Sequence, residues 1–400
     1  MISFKSAFDK VLENTGDYGT ESVNLLESNG RILAEQILAD RDFPPFDRAT
    51  KDGIAIKFKV VQTKKQSFKS EGIAQAGSTQ LELKDHSACI EIMTGAMVPI
   101  NTDTVVMYEN TVQENGNFTI TESIKRGQNI HYRASDISEK SELLQIGTKI
   151  GAAEIGVLAT VGKSQVKVKK LPKIAVVATG NELVEVNEIP LPYQIRKSNT
   201  YSLVALLRDK NIHADSFHLV DDKLILKQRL KKLLADYDVL LLSGGVSKGK
   251  YDFLPAAFDE LGVKKIFHKV LQRPGKPFWF GKDEARKAIV FSFPGNPVST
   301  FVNYHVHFIP WLNKSLGIES SQFTVFLENP IANNTGLTVF MGVNTRIKEG
   351  ILCANMLRTS GSGDILSLSR SDGFVKLEPN QVINGDGAEL PFIRTKNFDV

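Results

Sequence analysis

Three apolar runs in the second half of the chain, at residues 174–178, 239–242 and 288–293, each stop at or near a glycine or proline. They lack the alternation of a half-solvated strand, so both faces of each strand need cover. A parallel sheet enclosed by helices meets that need. Helical spacing between the runs supplies the covers: Leu203, Leu206 and Leu207 share one face, and Leu226, Leu230, Leu233 and Leu234 share another. The spacing predicts an αβα domain over residues 172–316.

The rest of the chain follows other periods. Phe4, Ala7, Phe8, Val11 and Leu12 predict an amphipathic helix. A second helical pattern runs from Asn29 to Ala39, before Phe43-Pro44-Pro45-Phe46-Asp47 breaks regular structure. Short strand-like runs at 53–58, 87–93, 104–108 and 118–121 then predict a β-rich insertion, with Asn115-Gly116 as a hairpin turn. Beyond Gly317 short strands and turns return, which predicts a C-terminal β-barrel or sandwich. The organisation is multidomain α/β and β: a partly helical N-terminal domain (1–51 with 138–171), the β-rich insertion (52–137), the αβα domain (172–316) and the C-terminal β domain (317–400).

Composition narrows the function classes. The chain has 400 residues, is 42% hydrophobic and 24% charged, and carries a formal charge of +4. That is a globular composition with too little net charge for a polyanion-binding footprint, so no nucleic acid partner is expected. No apolar run reaches about 18 residues, so no membrane span is expected. The first residues enter the helical pattern without a cleavable signal. Cys89 and Cys353 stand apart among apolar residues and read as buried thiols. Both features suit a cytoplasmic setting. The seven histidines form no metal-ligand motif, and GxSxG, Walker A and HExxH are absent.

Chemistry gathers at the ends of the apolar runs. Ser243-Gly244-Gly245-Val246-Ser247 follows one run; bare glycine backbone and serine hydroxyls there make either an anion site or an ordinary tight turn. Asp252 is either a Mg²⁺ ligand or a helix cap. Thr179-Gly180-Asn181-Glu182 follows the second run and Pro294-Gly295-Asn296-Pro297 the third. Open parallel sheets place ligands on this rim. Asp221-Asp222 precedes the Leu226 helix and suits either chemistry or capping. Lys269, Arg273 and Lys276 put positive charge on a proline-stiffened loop, suited to a small dianion or simply solvated. In the insertion, Asp52-Gly53 and Thr94-Gly95 are polar turns, and Asp136 is equally ambiguous.

Taken together these stretches resemble the molybdopterin molybdenumtransferase (MoeA) family, related to the gephyrin E domain. The blocks that carry the resemblance are Pro44-Pro45-Phe46-Asp47, Asp52-Gly53, Ile92-Met93-Thr94-Gly95-Ala96, Gly127-Gln128-Asn129-Ile130, Asp136-Ile137, Thr179-Gly180-Asn181-Glu182-Leu183, Ser198-Asn199, Ser243-Gly244-Gly245, Arg273-Pro274-Gly275-Lys276-Pro277 and Pro294-Gly295-Asn296-Pro297. They occur in family order along essentially the whole chain. The resemblance implies an αβα domain similar to the molybdopterin adenylyltransferase. It also implies a homodimer whose cleft joins that domain to the insertion of the other subunit. The activity implied is insertion of molybdate into adenylated molybdopterin with release of AMP, aided by Mg²⁺ or a similar divalent cation.

Residue by residue, the resemblance implies a catalytic acidic set of Asp52, Asp136, Glu182, Asp221 and Asp252, with Asp221, Asp252 and Glu182 as metal ligands. Thr94, Ser243, Gly244, Gly245, Ser247, Lys269, Arg273, Lys276, Pro294 and Pro297 would bind substrate, with Lys269 and Arg273 as a cationic pair near molybdate. Transient contact with the adenylyltransferase and with molybdoenzymes is also implied. The chain departs from the family at Lys51, Ile54, Asn181, Tyr193, Lys248 and Arg273; the last keeps the charge of the usual lysine but changes donor geometry. Two other activities fit parts of the pattern. One is an adenylyltransferase-like step, which would leave the insertion and tail without a use; the other is a scaffold or binding protein of the gephyrin E-domain type.

Overall fold

A computed structural model describes residues 1–62, 66–246, 253–319, 322–383 and 387–396. The chain divides into two compact units, one of Met1–Ser22, Gly30–Ile32 and Lys167–Val400, the other of Val23–Asn29 and Leu33–Val166.

Among the described residues the first unit contains a six-stranded sheet in the order Asp215–Leu219, Ile174–Thr179, Val239–Ser243, Ile289–Phe293, Trp279–Lys282, Lys264–His268. The first four strands are parallel. The remaining two add antiparallel at one edge, which the apolar runs did not foretell. Successive residues alternate between two cores, so each run is apolar throughout. Ile174, Val176, Val239 and Leu241 face Leu203 and Leu207 of the helix Ser198–Arg208. Ala175, Val177, Leu240 and Leu242 face Leu226, Leu230, Leu233 and Leu234 of the helix Lys223–Asp236.

The same unit holds a seven-stranded sheet, part of which closes on itself. Thr338–Lys348, Ile351–Met356, Phe323–Leu327, Ala388–Arg394 and Gly373–Leu377 pair in turn, and the last pairs back to the first. Closure removes exposed edges and encloses Val325, Leu327, Val343, Val375 and Leu390. Val270–Arg273, expected as loop, is a strand. It pairs parallel to the barrel at Gln272–Thr338 and Arg273–Val339, with Ile2–Ser3 on its other side. The helix Phe4–Glu13 follows, capped by Ser3 Oγ accepting from Ser6 N at 3.1 Å.

The second unit contains a six-stranded sheet in the order Thr104–Met107, Gly53–Ile56, Cys89–Ile92, Ser67–Ala74, Asn117–Ile120, Thr111–Glu114. Asn115 and Gly116, both at positive φ, close the predicted hairpin. The helix expected from Asn29 to Ala39 does not form. Leu33 N donates to Thr148 O and Ala39 N to Ser141 O, each at 2.9 Å, so the backbone is engaged in strand-like pairing. The spacing of Leu33, Ile37 and Ala39 instead serves burial in a short paired segment that includes the strand Ile37–Leu38. Cys89 and Cys353 are buried free thiols. No helix among the described residues is long and apolar enough to cross a membrane.

Two measurements probe this core. Leu241 is fully buried at the centre of the parallel sheet; Leu241→Ala is expected to lower unfolding free energy by about 2–5 kcal/mol in denaturant titration. His307 is buried and His305 half-buried with its Nε2 enclosed, and loss of hydration pushes both pKa values down to about 3. The unfolded chain takes up these protons near pH 6.5 while the native state does not. Stability therefore falls as pH drops from 6.5 towards 3, by up to about 1.4 kcal/mol per pH unit for each histidine. His305→Phe is expected to flatten that slope in denaturant midpoints measured between pH 6.5 and 4.5; an unchanged slope refutes the assignment.

Candidate active site

The connections of the parallel sheet create the site. From Ile174–Thr179 the chain passes through one helix to the strand on one side, then through a second helix to the strand on the other side. The strand ends therefore diverge at Thr179 and Ser243, where a crevice opens. Gly244 and Gly245 have φ of +100° and +70°. A Cβ on Gly244 would lie 2.8 Å from Thr179 O, and one on Gly245 2.9 Å from Thr179 Oγ1, so only glycine lets the two strand ends approach. Thr179 Oγ1 is itself buried, with no hydrogen-bond partner among the described residues.

One amide ties the rim together. Asn199, in the first turn of the helix Ser198–Arg208, donates from Nδ2 to Ser243 Oγ at 2.8 Å and to Gly295 O at 2.7 Å. Thr300 Oγ1 donates to Pro294 O at 2.6 Å and holds the same turn from beneath. Pro297 opens the helix Pro297–Asn303, where a proline needs no backbone donor.

The cleft so formed has a volume of about 510 Å³ and collects Glu182, Asp221, Ser243, Gly244, Gly245, Pro294 and Pro297. Asp221 and Asp222 divide the two functions left open by their sequence. Asp222 caps the helix Lys223–Asp236 through Leu224 N and Ile225 N, while Asp221 lines the cleft. Asn181 Oδ1 accepts from Asp221 N at 3.0 Å. Arg196 and Lys197, not singled out in the sequence, also line the cleft, and Lys197 pairs with Glu185. That partner holds the Glu185 carboxyl below the usual range. The signal for both cations was their position directly before Ser198-Asn199.

A second cavity of about 710 Å³ adjoins the first, sharing Pro277, Pro294 and Asn296. Arg273 and Lys276 are the charged residues of its described lining, which includes no carboxylate. Leu337, Val339, Phe340 and Met341 of the barrel supply an apolar wall. Asn296 Nδ2 donates to Ser362 Oγ at 2.8 Å across this cavity. Lys269 lines neither cavity. It stands at φ +70° between Lys264–His268 and Val270–Arg273, where its N–H donates to Phe278 O at 2.8 Å.

In the second unit, strand pairing of Gly53 with Ile92 brings Asp52 beside Thr94. Asp52 Oδ1 accepts from Thr94 N at 2.6 Å and from Thr94 Oγ1 at 2.7 Å. These bonds to the ionised form hold its carboxyl below the usual range. Asp136 lies 2.7 Å from His131 Nε2. Ser247 and Asp252 lie outside the described residues. The structure thus brings Glu182 and Asp221 into one cleft and Arg273 and Lys276 into its neighbour, while Asp52 and Thr94 pair in the other unit.

Comparison with known proteins gives this arrangement a family. Residues 2–162 match the MoeA N-terminal region (domain I and II), and residues 175–314 a probable molybdopterin binding domain. The chain is 34% identical over 396 residues to the molybdopterin molybdenumtransferase of Synechocystis, covering 98% of this chain and 99% of that one. It is 33% identical over 324 residues to the Staphylococcus epidermidis protein of the same name, covering 80% and 77%. A crystal structure of the molybdopterin biosynthesis MoeA protein from Pyrococcus horikoshii superposes with a TM-score of 0.84 at 28% identity, covering 100% of both chains. With near-complete coverage at that identity, a matching fold and the family's sequence blocks around these clefts, the chain belongs to the molybdopterin molybdenumtransferase (MoeA) family.

Proposed function

We propose that the protein inserts molybdenum from molybdate into adenylated molybdopterin and releases AMP. The observation that carries this reading is the pair of adjoining cavities with different charge. One has Glu182 and Asp221 beside Arg196 and Lys197; the other has Arg273 and Lys276 without a carboxylate. A substrate bearing phosphates at one end and meeting an oxyanion at the other needs both. Burying two anions side by side requires cationic and N–H partners for each. Holding molybdate beside the dithiolene makes the transfer effectively intramolecular.

A Mg²⁺ ion fits the first cleft as an ion shared with substrate. Glu182 and Asp221 offer the one or two carboxylates that such an ion takes beside water and phosphate oxygens. Among the described residues no group of three His, Cys, Asp or Glu side chains forms an all-protein cage. When bound, the ion would polarise the phosphoanhydride. The protein's own part is to hold the phosphates with Arg196 and Lys197 and to anchor the rim through Asn199. Ser243, Gly244 and Gly245 supply the close backbone approach. Asp252 and Ser247 complete the acidic and polar set in this reading, and Lys269, outside both cavities, adds only to the general positive field of this region.

The same reading assigns Asp52, Thr94 and Asp136 to a cleft completed by a second copy of the chain, as a homodimer. It sets the reaction in the cytoplasm, in keeping with two free buried thiols. Transient contact with the adenylating enzyme and with molybdoenzymes would carry substrate in and product out.

Purified protein supplied with adenylated molybdopterin, Mg²⁺ and molybdate is expected to release AMP and to yield cofactor that activates an apo-molybdoenzyme. Glu182→Gln and Asp221→Asn are expected to slow AMP release roughly 100-fold with circular dichroism unchanged. Full activity in both variants, or consumption of ATP to adenylate molybdopterin in place of AMP release, overturns the proposal.

A further inference from the structure

The Arg273–Lys276 turn carries two cations, yet its middle residues, Pro274 and Gly275, have no polar side chain to anchor it. Its backbone is held from beneath. Gln272 is completely buried, and its Nε2 donates to Pro274 O at 3.0 Å and to Asn303 Oδ1 at 2.9 Å. Asn303, equally buried at the end of the helix Pro297–Asn303, donates from Nδ2 to Gly275 O at 3.3 Å. His307 lies in the following π-helical turn, with Nε2 2.9 Å from Gln272 Oε1. Its ring packs against Phe4 and Phe278, with centroids 5.3 and 4.8 Å away.

The donor roles follow by exclusion. An amide oxygen only accepts, so His307 Nε2 carries the proton. His307 Nδ1 is buried with no partner among the described residues, which suits the neutral ring. Turning the Gln272 amide over would set its oxygen against Pro274 O, acceptor against acceptor. Both Gln272 N–H groups are therefore committed, one to Pro274 O and one to Asn303 Oδ1. Asn303 in turn must present its Nδ2 to Gly275 O. Two consecutive carbonyls of the turn and one ring proton thus terminate a single ordered chain of bonds. Gly275, at φ +92°, completes the fit: a Cβ there would lie 2.7 Å from Asn303 Nδ2 and 2.8 Å from Gln272 Nε2.

We propose that His307, Gln272 and Asn303 form a buried positioning relay that sets the Arg273–Lys276 turn and thereby the affinity for the oxyanion substrate. This rests on the assignment of Arg273 and Lys276 to molybdate. None of the three is exposed to solvent, so they act through the turn and are positioning residues. The relay also accounts for three polar side chains in a core otherwise built from Phe278, Phe291, Phe293 and Phe308.

The test is steady-state AMP release with molybdate varied at saturating adenylated molybdopterin, and the reverse. Gln272→Leu and His307→Phe are expected to raise the KM for molybdate roughly tenfold or more, with kcat and the KM for adenylated molybdopterin within about twofold. His307→Gln, which keeps an N–H donor, should restore most of the affinity. Lys276→Ala is the control for the parent assignment. If Lys276→Ala raises the molybdate KM but the relay variants leave it unchanged, or alter every parameter alike, the relay is only structural and the inference falls. If Lys276→Ala itself has no effect, the oxyanion assignment falls and takes the relay's role with it. Should Gln272→Leu fail to fold, Asn303→Ser loses the bond to Gly275 O while keeping a polar group, and it carries the same comparison.

Discussion

Parallel pairing of Ile174–Thr179 with Val239–Ser243 is the constraint from which the site grows. Parallel strands end at the same height, so Thr179 and Ser243 arrive together on one rim. Because the chain leaves them in opposite directions, nothing in the sheet fills the gap between their ends. The diglycine after Ser243 lets the backbone turn where any Cβ would lie within 3 Å of Thr179. Asn199 then ties this turn to Pro294-Gly295 from the third strand. Two strand ends are joined by one side-chain amide and by the bond from Gly244 N to Phe293 O, and the remaining strand end packs against them at Thr179.

The cationic cavity depends on a different device. Val270–Arg273 leaves the neighbourhood of the αβ sheet and joins the barrel at Thr338 and Val339. A short strand shared in this way places the Arg273–Lys276 turn between a polar rim and an apolar barrel wall, with its carbonyls gripped by buried amides. Arg273 and Lys276 thereby line a cavity adjoining but distinct from the one that holds Glu182 and Asp221, so these carboxylates do not neutralise them directly. An anionic group can then be received on the cationic side.

Legibility in the sequence followed the range of the physical signal. The helix Phe4–Glu13, the three buried strands and the Asn115-Gly116 hairpin were readable because each rests on local period or turn chemistry. The segment from Asn29 to Ala39 misled for the same reason: apolar spacing suited a helix, but pairing with distant residues took its backbone groups. Arg196, Lys197, Gln272 and Asn303 escaped notice because nothing nearby in sequence marks a polar residue as facing a cleft or as buried with a partner. Asp221 and Asp222 are neighbours with the same chemistry, and only the start of the helix Lys223–Asp236 separates a cap from a cleft residue.

The amino-acid order alone determined which stretches become strands and helices and where glycine or proline ends them, because those preferences act over a few residues. It also carried the family's collinear blocks. Tertiary structure alone decided that Asn199 and Gly295, 96 residues apart, are bonded on one rim, that Val270–Arg273 is a strand paired to the barrel, and that Gln272, Asn303 and His307 share one hydrogen-bonded chain. Those outcomes depend on which distant polar groups can satisfy one another once the apolar faces are buried, and no local pattern encodes that choice.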